Sequence, residues 1–486
     1  MREKTGCVGT TFHGRPKLYA RKIIYGAVLG LILIFTLGKL AMAQVWQKIV
    51  TSGTPPDKRN GHVLIYPGGN EQFIFGGFNQ NNDLWILREE GESSRWERKD
   101  VPGTVPSERG GHSGIFVPED GAVVEDSIII FGGSNSFEGT LVDSGTYKLE
   151  DPRDYWSAQW EKLETTGNVP SSRAEHTAVY DDSNNKMVVF GGYTSIGPIV
   201  VSSDTYTLDF TAPTADWAKL TPGEEIPGRY GHSAVWGEEM GMRQMIVFGG
   251  KDNSGELLND CWRLEWTSWN EINVNGDKPP ARWQHTAVWI QGQFPEPGKM
   301  IVFGGEDENE NPLDDVWVLQ RPSGESNWKW EELYPIGDLP SARSGHAVAF
   351  GWGWGWGWEG GEKMFIFGGS DGNENFNDVY AFAKAEKVKE TLQEKPFNAP
   401  NPFNPDTEET KICYYLDEED DDVKIKLFTL TGDLVYSWEN ISGIKGLNQW
   451  PWNGKNEKGR IVENGGYICL IEAGGKKQKC KIAVLR

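Results

Sequence analysis

One block of residues is repeated six times along this chain, and the repeat restricts the possible folds more than any other feature. The triplet Phe-Gly-Gly recurs at intervals of 56, 59, 58, 55 and 64 residues. It begins at Phe75, Phe131, Phe190, Phe248, Phe303 and Phe367. Each block contains four short strand-like segments, and a period near 50 residues with this content indicates a radial array of small sheets.

Three further landmarks recur in the same order in every block. An Arg precedes a His by three residues at Arg59/His62, Arg109/His112, Arg173/His176, Arg229/His232, Arg282/His285 and Arg343/His346. An aromatic residue follows each Gly pair at Trp85, Tyr147, Tyr206, Trp262, Trp317 and Tyr380. Asp stands two places before this aromatic residue in five blocks, whereas Gly145 takes its place in the second.

This set of landmarks resembles the Kelch repeat family. The resemblance implies an all-β chain with a six-bladed Kelch β-propeller over residues 44–383. The small residues after each His suit crowded inner strands, and the Gly pair allows the backbone to turn without a Cβ clash.

The sixth block lacks a fourth strand, and the missing strand is expected at the other end of the repeats. Trp46 stands 13 residues before Arg59, as Trp96 stands 13 residues before Arg109. We therefore expect the segment around Trp46 to pair with the last block. That pairing would close the ring and cover an exposed sheet edge.

Residues 1–43 are typical of a signal peptide that directs secretion. Basic residues precede an apolar run from Ile23 to Leu37, and Ala41-Met42-Ala43 places small residues where signal peptidase cleaves. We expect a mature N-terminus at Gln44 in a secreted or cell-surface protein, and a monomer. An uncleaved membrane anchor is the alternative, although the apolar run is short for a membrane span.

Residues 384–400 are expected to be a linker, as a short helix or a solvated segment, and residues 401–486 a small Ig-like β-sandwich. Short alternating segments separated by turns, such as Asn453-Gly454 and Gly474-Gly475, indicate the sandwich. The segments Asn401–Pro405 and Asn464–Tyr467 resemble bacterial type IX secretion sorting domains and the flagellar hook-capping Ig-like domain. This resemblance implies a role in export, in cell-envelope attachment or as a spacer.

Histidine positions argue against an enzyme. Of seven His residues, His13 lies in the expected signal peptide and the other six are repeat positions with a structural role. No His remains for a catalytic triad or zinc site, and we expect no catalytic residues, metal or cofactor. Kelch copper radical oxidases need spare His ligands, so that activity is excluded. A carbohydrate-active enzyme that uses Arg and carboxylates, similar to Kelch sialate epimerases, is the alternative function.

The charge distribution and the loops instead favour a binding protein whose ligand is a protein or a glycan. The formal net charge of −22 excludes nucleic acid, which requires a basic surface. Loops that follow the Gly pairs and segments that follow the repeat Arg should share one face, and variable loops on a rigid scaffold carry recognition. The expected contacts are Asn79, Asn135, Tyr193, Tyr230, Asn253, Trp283, Asn309 and Asn373.

Three other features leave alternatives open. Trp352, Trp354, Trp356 and Trp358 alternate with Gly, so they form either packing or an exposed interaction comb on the opposite face. Several loops are rich in Asp and Asn, which suits calcium, but none has the spacing of a known calcium loop. Cys469 and Cys480 would face each other across the Gly474-Gly475 hairpin. They would form a hydrogen-bonded pair of the antiparallel ladder, which has the wider Cα separation, and this disfavours a disulfide.

Overall fold

The computed structural model shows a chain built from β-strands. It describes residues 44–486 apart from short gaps at 79–80, 91–92, 120–125, 137–138, 155–156, 212–213, 224–225, 240, 275, 293–296, 353–361, 385–395, 400, 407–408, 417 and 445. Every regular element in these residues is a strand. No helix with the length and apolarity to cross a membrane occurs among them. The expected signal peptide, residues 1–43, lies outside the described residues.

The repeat region contains 29 strands. They are β1 Gln44–Lys48, β2 Thr51–Ser52, β3 Val63–Ile65, β4 Glu71–Phe75, β5 Leu84–Glu90, β6 Ser93–Lys99, β7 Ser113–Val117, β8 Ser127–Phe131, β9 Thr146–Glu150, β10 Gln159–Lys162, β11 Thr165–Gly167, β12 Thr177–Asp181, β13 Lys186–Phe190, β14 Tyr193–Ile196, β15 Ile199–Val201, β16 Thr205–Asp209, β17 Ala215–Leu220, β18 Ser233–Glu239, β19 Met242–Phe248, β20 Cys261–Glu265, β21 Ser268–Glu271, β22 Thr286–Ile290, β23 Lys299–Phe303, β24 Val316–Gln320, β25 Lys329–Leu333, β26 Ile336–Gly337, β27 Ala347–Trp352, β28 Glu362–Phe367 and β29 Val379–Lys384.

Each sequence repeat forms one sheet of four or five strands, and the third repeat adds a separate β14–β15 hairpin. The first strand of each repeat lies at the sheet edge nearest the other repeats. The strand orders are β2-β6-β5-β4-β3, β10-β9-β8-β7, β11-β17-β16-β13-β12, β18-β19-β20-β21, β22-β23-β24-β25 and β26-β1-β29-β28-β27. The first strands β3, β7, β12, β18, β22 and β27 contact one another in a closed cycle. We call these six sheets repeat sheets 1 to 6.

Repeat sheet 6 is assembled from two distant parts of the chain. Strand β1 pairs antiparallel with β29, and Trp46 stands opposite Phe382. The pairing expected for the Trp46 segment is therefore present. It supplies the fourth strand that the last repeat lacks, because the chain leaves the sheet after Lys384.

A glycine stands six residues before each repeat Arg, and in three repeats the segment that carries it covers an outer sheet edge. Strands β2, β11 and β26 each pair parallel with the outer strand of a sheet. Gly53 and Gly167 have positive φ, and a Cβ on either would overlap the carbonyl oxygen of Trp96 or Trp217. The outer edges are thereby protected from pairing with other chains. The sequence analysis did not recognise this glycine.

The C-terminal unit consists of two sheets around a separate apolar core. Its strands are β30 Phe397–Ala399, β31 Thr410–Leu416, β32 Asp420–Thr429, β33 Leu434–Gly443, β34 Gly446–Trp452, β35 Gly465–Ala473 and β36 Lys476–Val484. The sheet orders are β30-β31-β34 and β33-β32-β35-β36. Ile412, Ile425 and Trp452 belong to one buried cluster between them.

The boundary expected at residue 401 is too late, and two strands of this unit were not anticipated. Strand β30 lies within the expected linker and pairs with β31, because Phe397 stands opposite Cys413. Strand β34 carries the Trp450-Pro451-Trp452 segment, which lacks a simple alternation. Cys469 and Cys480 are partners in the register, as expected, and both are free thiols in the core.

Candidate functional site

The repeat Arg residues fix the loops at one end of the sheets. All six side chains are fully buried, and each guanidinium Nη1 donates to the carbonyl of the first Gly of its own repeat, at 2.8 to 3.1 Å. Four of them also form ion pairs with the repeat Asp. These are Arg59–Asp83 at 2.7 Å, Arg229–Asp260 at 2.6 Å, Arg282–Asp315 at 2.6 Å and Arg343–Asp378 at 2.7 Å.

The second and third repeats depart from this ion-pair pattern. Asp143, two residues before Gly145, supplies the carboxylate to Arg109 at 3.6 Å. In the third repeat Asp204 pairs instead with Lys219 at 2.6 Å. The missing Asp at position 145 is thus replaced by a neighbour in the same loop.

The six repeat His side chains are buried, and each ring contacts the Gly pair of the preceding repeat sheet. Cε1 of His112 lies 2.6 Å from the position that a Cβ on Gly76 would occupy. In four repeats Nε2 bonds to a hydroxyl on the preceding sheet, as His176 does with Ser113 Oγ at 2.9 Å. Burial and the neighbouring Arg109 lower the pKa of His112 to about 3, so its ring is neutral.

The hydrogen bond of Nε2 is present in only four of the six repeat His residues. Nε2 of His62 and of His112 has no hydrogen-bond partner among the described residues. The residues that would supply the hydroxyl are Ala347 and Val63, which have none.

Six backbone hydrogen bonds form a closed ring where the first strands begin. Each residue immediately before a repeat His donates its N–H to the equivalent residue of the preceding sheet, over 2.7 to 2.9 Å. All six have positive φ, between 51° and 65°. We call this set the axial ring; it consists of Gly61, Gly111, Glu175, Gly231, Gln284 and Gly345.

Two ring members are not glycine, and the sequence analysis missed both. Glu175 has φ 55° and Gln284 has φ 51°, a left-handed conformation that costs a non-glycine residue about 1–2 kcal/mol. Strain of this kind clusters at functional sites. The signal was available in the sequence, because four repeats read Arg-x-Gly-His whereas the third has Glu and the fifth has Gln.

A cavity of about 120 Å³, which we call the axial mouth, is lined by the axial ring and the six repeat His residues. Glu175 and Gln284 are half-buried there. Burial and the nearby Glu306 carboxylate raise the pKa of Glu175 to about 7, although a hydrogen bond from Gln284 opposes the shift. Glu306 accepts a hydrogen bond from Ser344 Oγ at 2.5 Å. The mouth therefore holds one carboxyl group, that of Glu175, whose pKa is raised, and a second carboxyl group, that of Glu306, lies nearby.

Loops after the Gly pairs surround this mouth, on the face that the sequence analysis selected for binding. In five repeats an isolated β-bridge joins the residue after the repeat Arg to the residue after the Gly pair, as Tyr230 joins Lys251 and Trp283 joins Glu306. In the first repeat the Phe78 N–H donates to the Asn60 carbonyl at 3.0 Å. The two sets of segments are therefore neighbours on one face.

The aromatic residues expected on this face come together, but they are not surface residues. Tyr193, Tyr230 and Trp283 have exposed fractions of 1, 6 and 6%. Their rings meet edge to face, with centroids 5.7 Å apart for Tyr193–Tyr230 and 5.9 Å for Tyr230–Trp283. The expectation of exposed aromatic contacts at these positions is wrong. Adjacent sheets bring the three rings into one core beneath the loops.

The loop asparagines lie apart from one another around the face. Asn135, Asn253, Asn309 and Asn373 are exposed, and Asn79 lies outside the described residues. The side chain of Asn253 accepts a hydrogen bond from the Val201 N–H at 3.1 Å, which ties the β14–β15 hairpin to the next sheet. The four described Asn residues follow the Gly pairs of four different repeat sheets.

The Gly-Trp insertion connects β27 to β28, at the ends of these strands away from the axial ring. Trp352 is the last residue of β27. Trp354, Trp356 and Trp358 lie outside the described residues. The choice between packing and an exposed comb therefore stays a prediction.

Carboxylates of the acidic loops bond to their own loop backbone. Asp252 Oδ1 accepts from the N–H groups of Ser254 and Glu256 at 2.8 and 3.0 Å, and Asp307 and Asp371 make similar contacts. These bonds lower the pKa of Asp252. The described residues contain no group of three or more His, Cys, Asp or Glu side chains arranged to hold a metal ion.

The repeat sheets and their buried Arg, His and Gly residues are those of Kelch-repeat β-propellers, and two families of this kind match the chain, each over part of its length. Residues 39–254 match the Attractin/LZTR1 beta-propeller family, and residues 265–404 match the KLHDC2/KLHL20/DRC7 Kelch-repeats domain. The Kelch resemblance seen in the sequence is therefore confirmed.

Among named relatives, the chain is 26% identical over 348 residues to Adagio protein 3 from Arabidopsis thaliana, covering 68% of this chain and 50% of that protein. It is 25% identical over 357 residues to the host cell factor homolog hcf-1 from Caenorhabditis elegans, covering 66% and 41%. The chain thus spans about half the length, or less, of these relatives. The solved structure of YjhT aligns with 69% of this chain and 97% of its own, with a TM-score of 0.48 and 15% identity.

Proposed function

We propose that the protein is a non-catalytic binding protein whose repeat sheets act as one closed six-bladed propeller. Its ligand, a protein or a glycan, binds the face that carries the axial mouth. The observation that carries this proposal is the pair Glu175 and Gln284, two polar side chains held in a left-handed conformation at the centre of the face. Kelch propellers generally mediate protein interactions, which favours a protein ligand.

The experiment compares two sets of variants in a pull-down and on a glycan array. One set changes Asn135, Asn253, Asn309 and Asn373 to Ala, and the other changes Trp352, Trp354, Trp356 and Trp358 to Ala. We expect loss of binding in the Asn set alone. Loss only in the Trp set would move the binding site to the opposite face.

We further propose that the protein is exported, with residues 1–43 as a cleaved signal peptide. The C-terminal unit, an Ig-like sandwich in this proposal, directs export or attaches the protein to the cell envelope. The support is the apolar run before Ala41-Met42-Ala43 together with the separate core of the C-terminal sheets. Deletion of residues 401–486 should leave a folded propeller with a changed location, and N-terminal sequencing should find Gln44 first.

An acid–base enzyme is the second candidate, because the axial mouth holds the Glu175 carboxyl group with the Glu306 carboxyl group close by. Burial and Glu306 raise the pKa of Glu175 to about 7, which suits a general acid or base near neutral pH. Incubation with free sugars, followed by NMR for changed anomers or epimers, tests this activity. Turnover by the wild type that Glu175→Gln abolishes would favour the enzyme over the binding protein.

A further inference from the structure

The axial mouth is open because four ring members have no side chain, and it is polar because the other two have one. The carboxyl oxygens of Glu175 lie 3.0 and 3.6 Å from the positions where Cβ atoms of Gly111 and Gly231 would stand. The side-chain oxygen of Gln284 lies 3.7 Å from the equivalent position of Gly345. Both side chains therefore occupy the space above the ring that the glycines leave free.

The groups around this space accept hydrogen bonds and carry negative charge without a balancing cation. Among the described residues, neither Glu175 nor Glu306 forms an ion pair, and the Lys251 ammonium lies instead 3.7 Å from the centre of the Trp283 ring. Two neighbouring carboxylates repel each other unless a proton or a cation lies between them. Among the described residues, no cation balances the charge of Glu175 and of the nearby Glu306, and the side-chain oxygen of Gln284 adds an acceptor beside the ring.

Two histidines that line the same cavity have unmet hydrogen-bonding capacity. His62 and His112 are 5 and 6% exposed, and neither has a hydrogen-bond partner on Nε2 among the described residues. Burial lowers the pKa of both, so each neutral ring has one donor and one acceptor nitrogen. This unpaired acceptor capacity is independent of the carboxylates.

We propose that the axial mouth binds a primary ammonium group, presented by a lysine side chain of a protein partner, with Glu175 as its charge partner and Gln284 as an acceptor. An ammonium has three donors and no acceptor, and a slender alkyl stem lets it enter a narrow cavity. The net charge of −22 attracts a basic partner over longer distances. This inference rests on the proposed binding function and specifies the chemistry of its ligand.

The test uses Nα-acetyl-lysine methylamide as the probe and Nα-acetyl-norleucine methylamide, which has no amine, as its neutral control. Isothermal titration at pH 8 and low salt should give saturable binding of the lysine probe alone. Glu175→Gln, which keeps the shape and removes the charge, should weaken binding at least tenfold. Glu175→Gly should do the same, and Gln284→Gly should weaken it severalfold.

Glu175→Gly and Gln284→Gly install the residue that the four other repeats already have, so both variants are expected to fold, and melting temperatures check this. Glu271→Gln, which removes the same charge from an exposed position on the outer strand β21, is the matched control and should bind the probe like wild type. Equal binding of both probes, a non-saturating response or unchanged affinity in Glu175→Gln would overturn the ammonium site. The binding function itself would survive that result if a partner were still captured and lost in the loop Asn set.

Discussion

The indole of Trp46 packs against the ring of Phe303, with ring centroids 5.0 Å apart, although Trp46 belongs to repeat sheet 6 and Phe303 to repeat sheet 5. The same contact joins every adjacent pair of sheets, with centroids 4.8 to 5.2 Å apart. The other pairs are Trp96–Phe367, Trp160–Phe75, Trp217–Phe131, Trp269–Phe190 and Trp330–Phe248. Each Trp thus packs its own sheet against the strand that ends in Phe-Gly-Gly in the preceding sheet.

Trp46→Ala should lower the free energy of unfolding by about 3–5 kcal/mol, because it removes a side chain that is 1% exposed from the seam between two sheets. Trp266→Ala is the matched control. Trp266 is 90% exposed on a hairpin, so its loss should change stability little. Chemical denaturation of both variants measures the difference, and equal effects would show that the seam does not depend on Trp46.

Gly61→Ala should be more destabilising than Gly69→Ala, although both glycines have positive φ, 65° and 77°. The shared backbone strain costs about 1 kcal/mol in either variant. A Cβ on Gly61 would also overlap the ring of Phe78, whereas Gly69 has nothing within 4 Å. Gly61→Ala should therefore lose about 1–3 kcal/mol more stability than Gly69→Ala, because of overpacking. This difference measures the effect of the close approach of Phe78 to the axial ring. Thermal melts of the pair provide the measurement.

Glu175→Gly and Gln284→Gly should each stabilise the protein by about 1 kcal/mol, because glycine adopts the left-handed conformation without a Cβ penalty. The added entropy of glycine in the unfolded chain reduces part of this gain. Denaturant midpoints report the change. A loss of stability in both variants would mean that the side chains hold the ring together and are not a source of strain.

The contribution of Glu175 to stability should decrease as the pH rises from about 4.5 to about 7. Burial and Glu306 raise the pKa of Glu175 to about 7 from a model-peptide value of 4.5. The folded state therefore holds this proton more tightly than the unfolded state, and rising pH favours unfolding in that interval. Glu175→Gln removes the titrating group. The free energy of unfolding of this variant, minus that of wild type, should therefore increase between pH 5 and pH 8. A constant difference would contradict the raised pKa of Glu175.

Asp260→Asn should cost about 3 kcal/mol, because it leaves the fully buried Arg229 guanidinium without its paired carboxylate, whose oxygens lie 2.6 and 2.9 Å away. Asp204→Asn is the matched control in the third repeat. Asp204 pairs with the partly exposed Lys219, so the same substitution should cost less than 1 kcal/mol. Similar losses in the two variants would contradict the importance of the buried ion pair.

The sheets could be predicted well from the sequence because the same pattern of residues recurs in every repeat. The Arg, His, Gly-Gly and Trp positions all have one structural role that recurs, so six copies reinforce one interpretation. The pairing of β1 with β29 was also predictable, since Trp46 has the spacing of Trp96 from the next Arg. Strands β30 and β34 were harder to predict, because short or Pro-containing edge segments lack a period of two.

The candidate site could be predicted only in part, because it exists only when all six repeats meet. Glu175 and Gln284 occupy a position whose residue differs between repeats in the sequence. Only the closed hydrogen-bonded ring of the folded chain places that position at the centre of the face. Burial of Tyr230 and Trp283 likewise depends on contacts between neighbouring sheets. The pattern predicted correctly that the two sets of loop segments are neighbours on one face, but the residues at the centre of that face could be found only from the packed structure.

The two-part construction of repeat sheet 6 determines how the molecule would respond to mechanical force. Gln44 and Lys384 stand opposite each other at one end of the β1–β29 pair. If the chain were held before Gln44 and pulled through the C-terminal unit, the load would reach this pair first. The hydrogen bonds between β1 and β29 would then break one after another from that end, instead of bearing the load together in shear. Tension on the C-terminal unit would thus separate repeat sheet 6 while the interiors of the other five sheets still held.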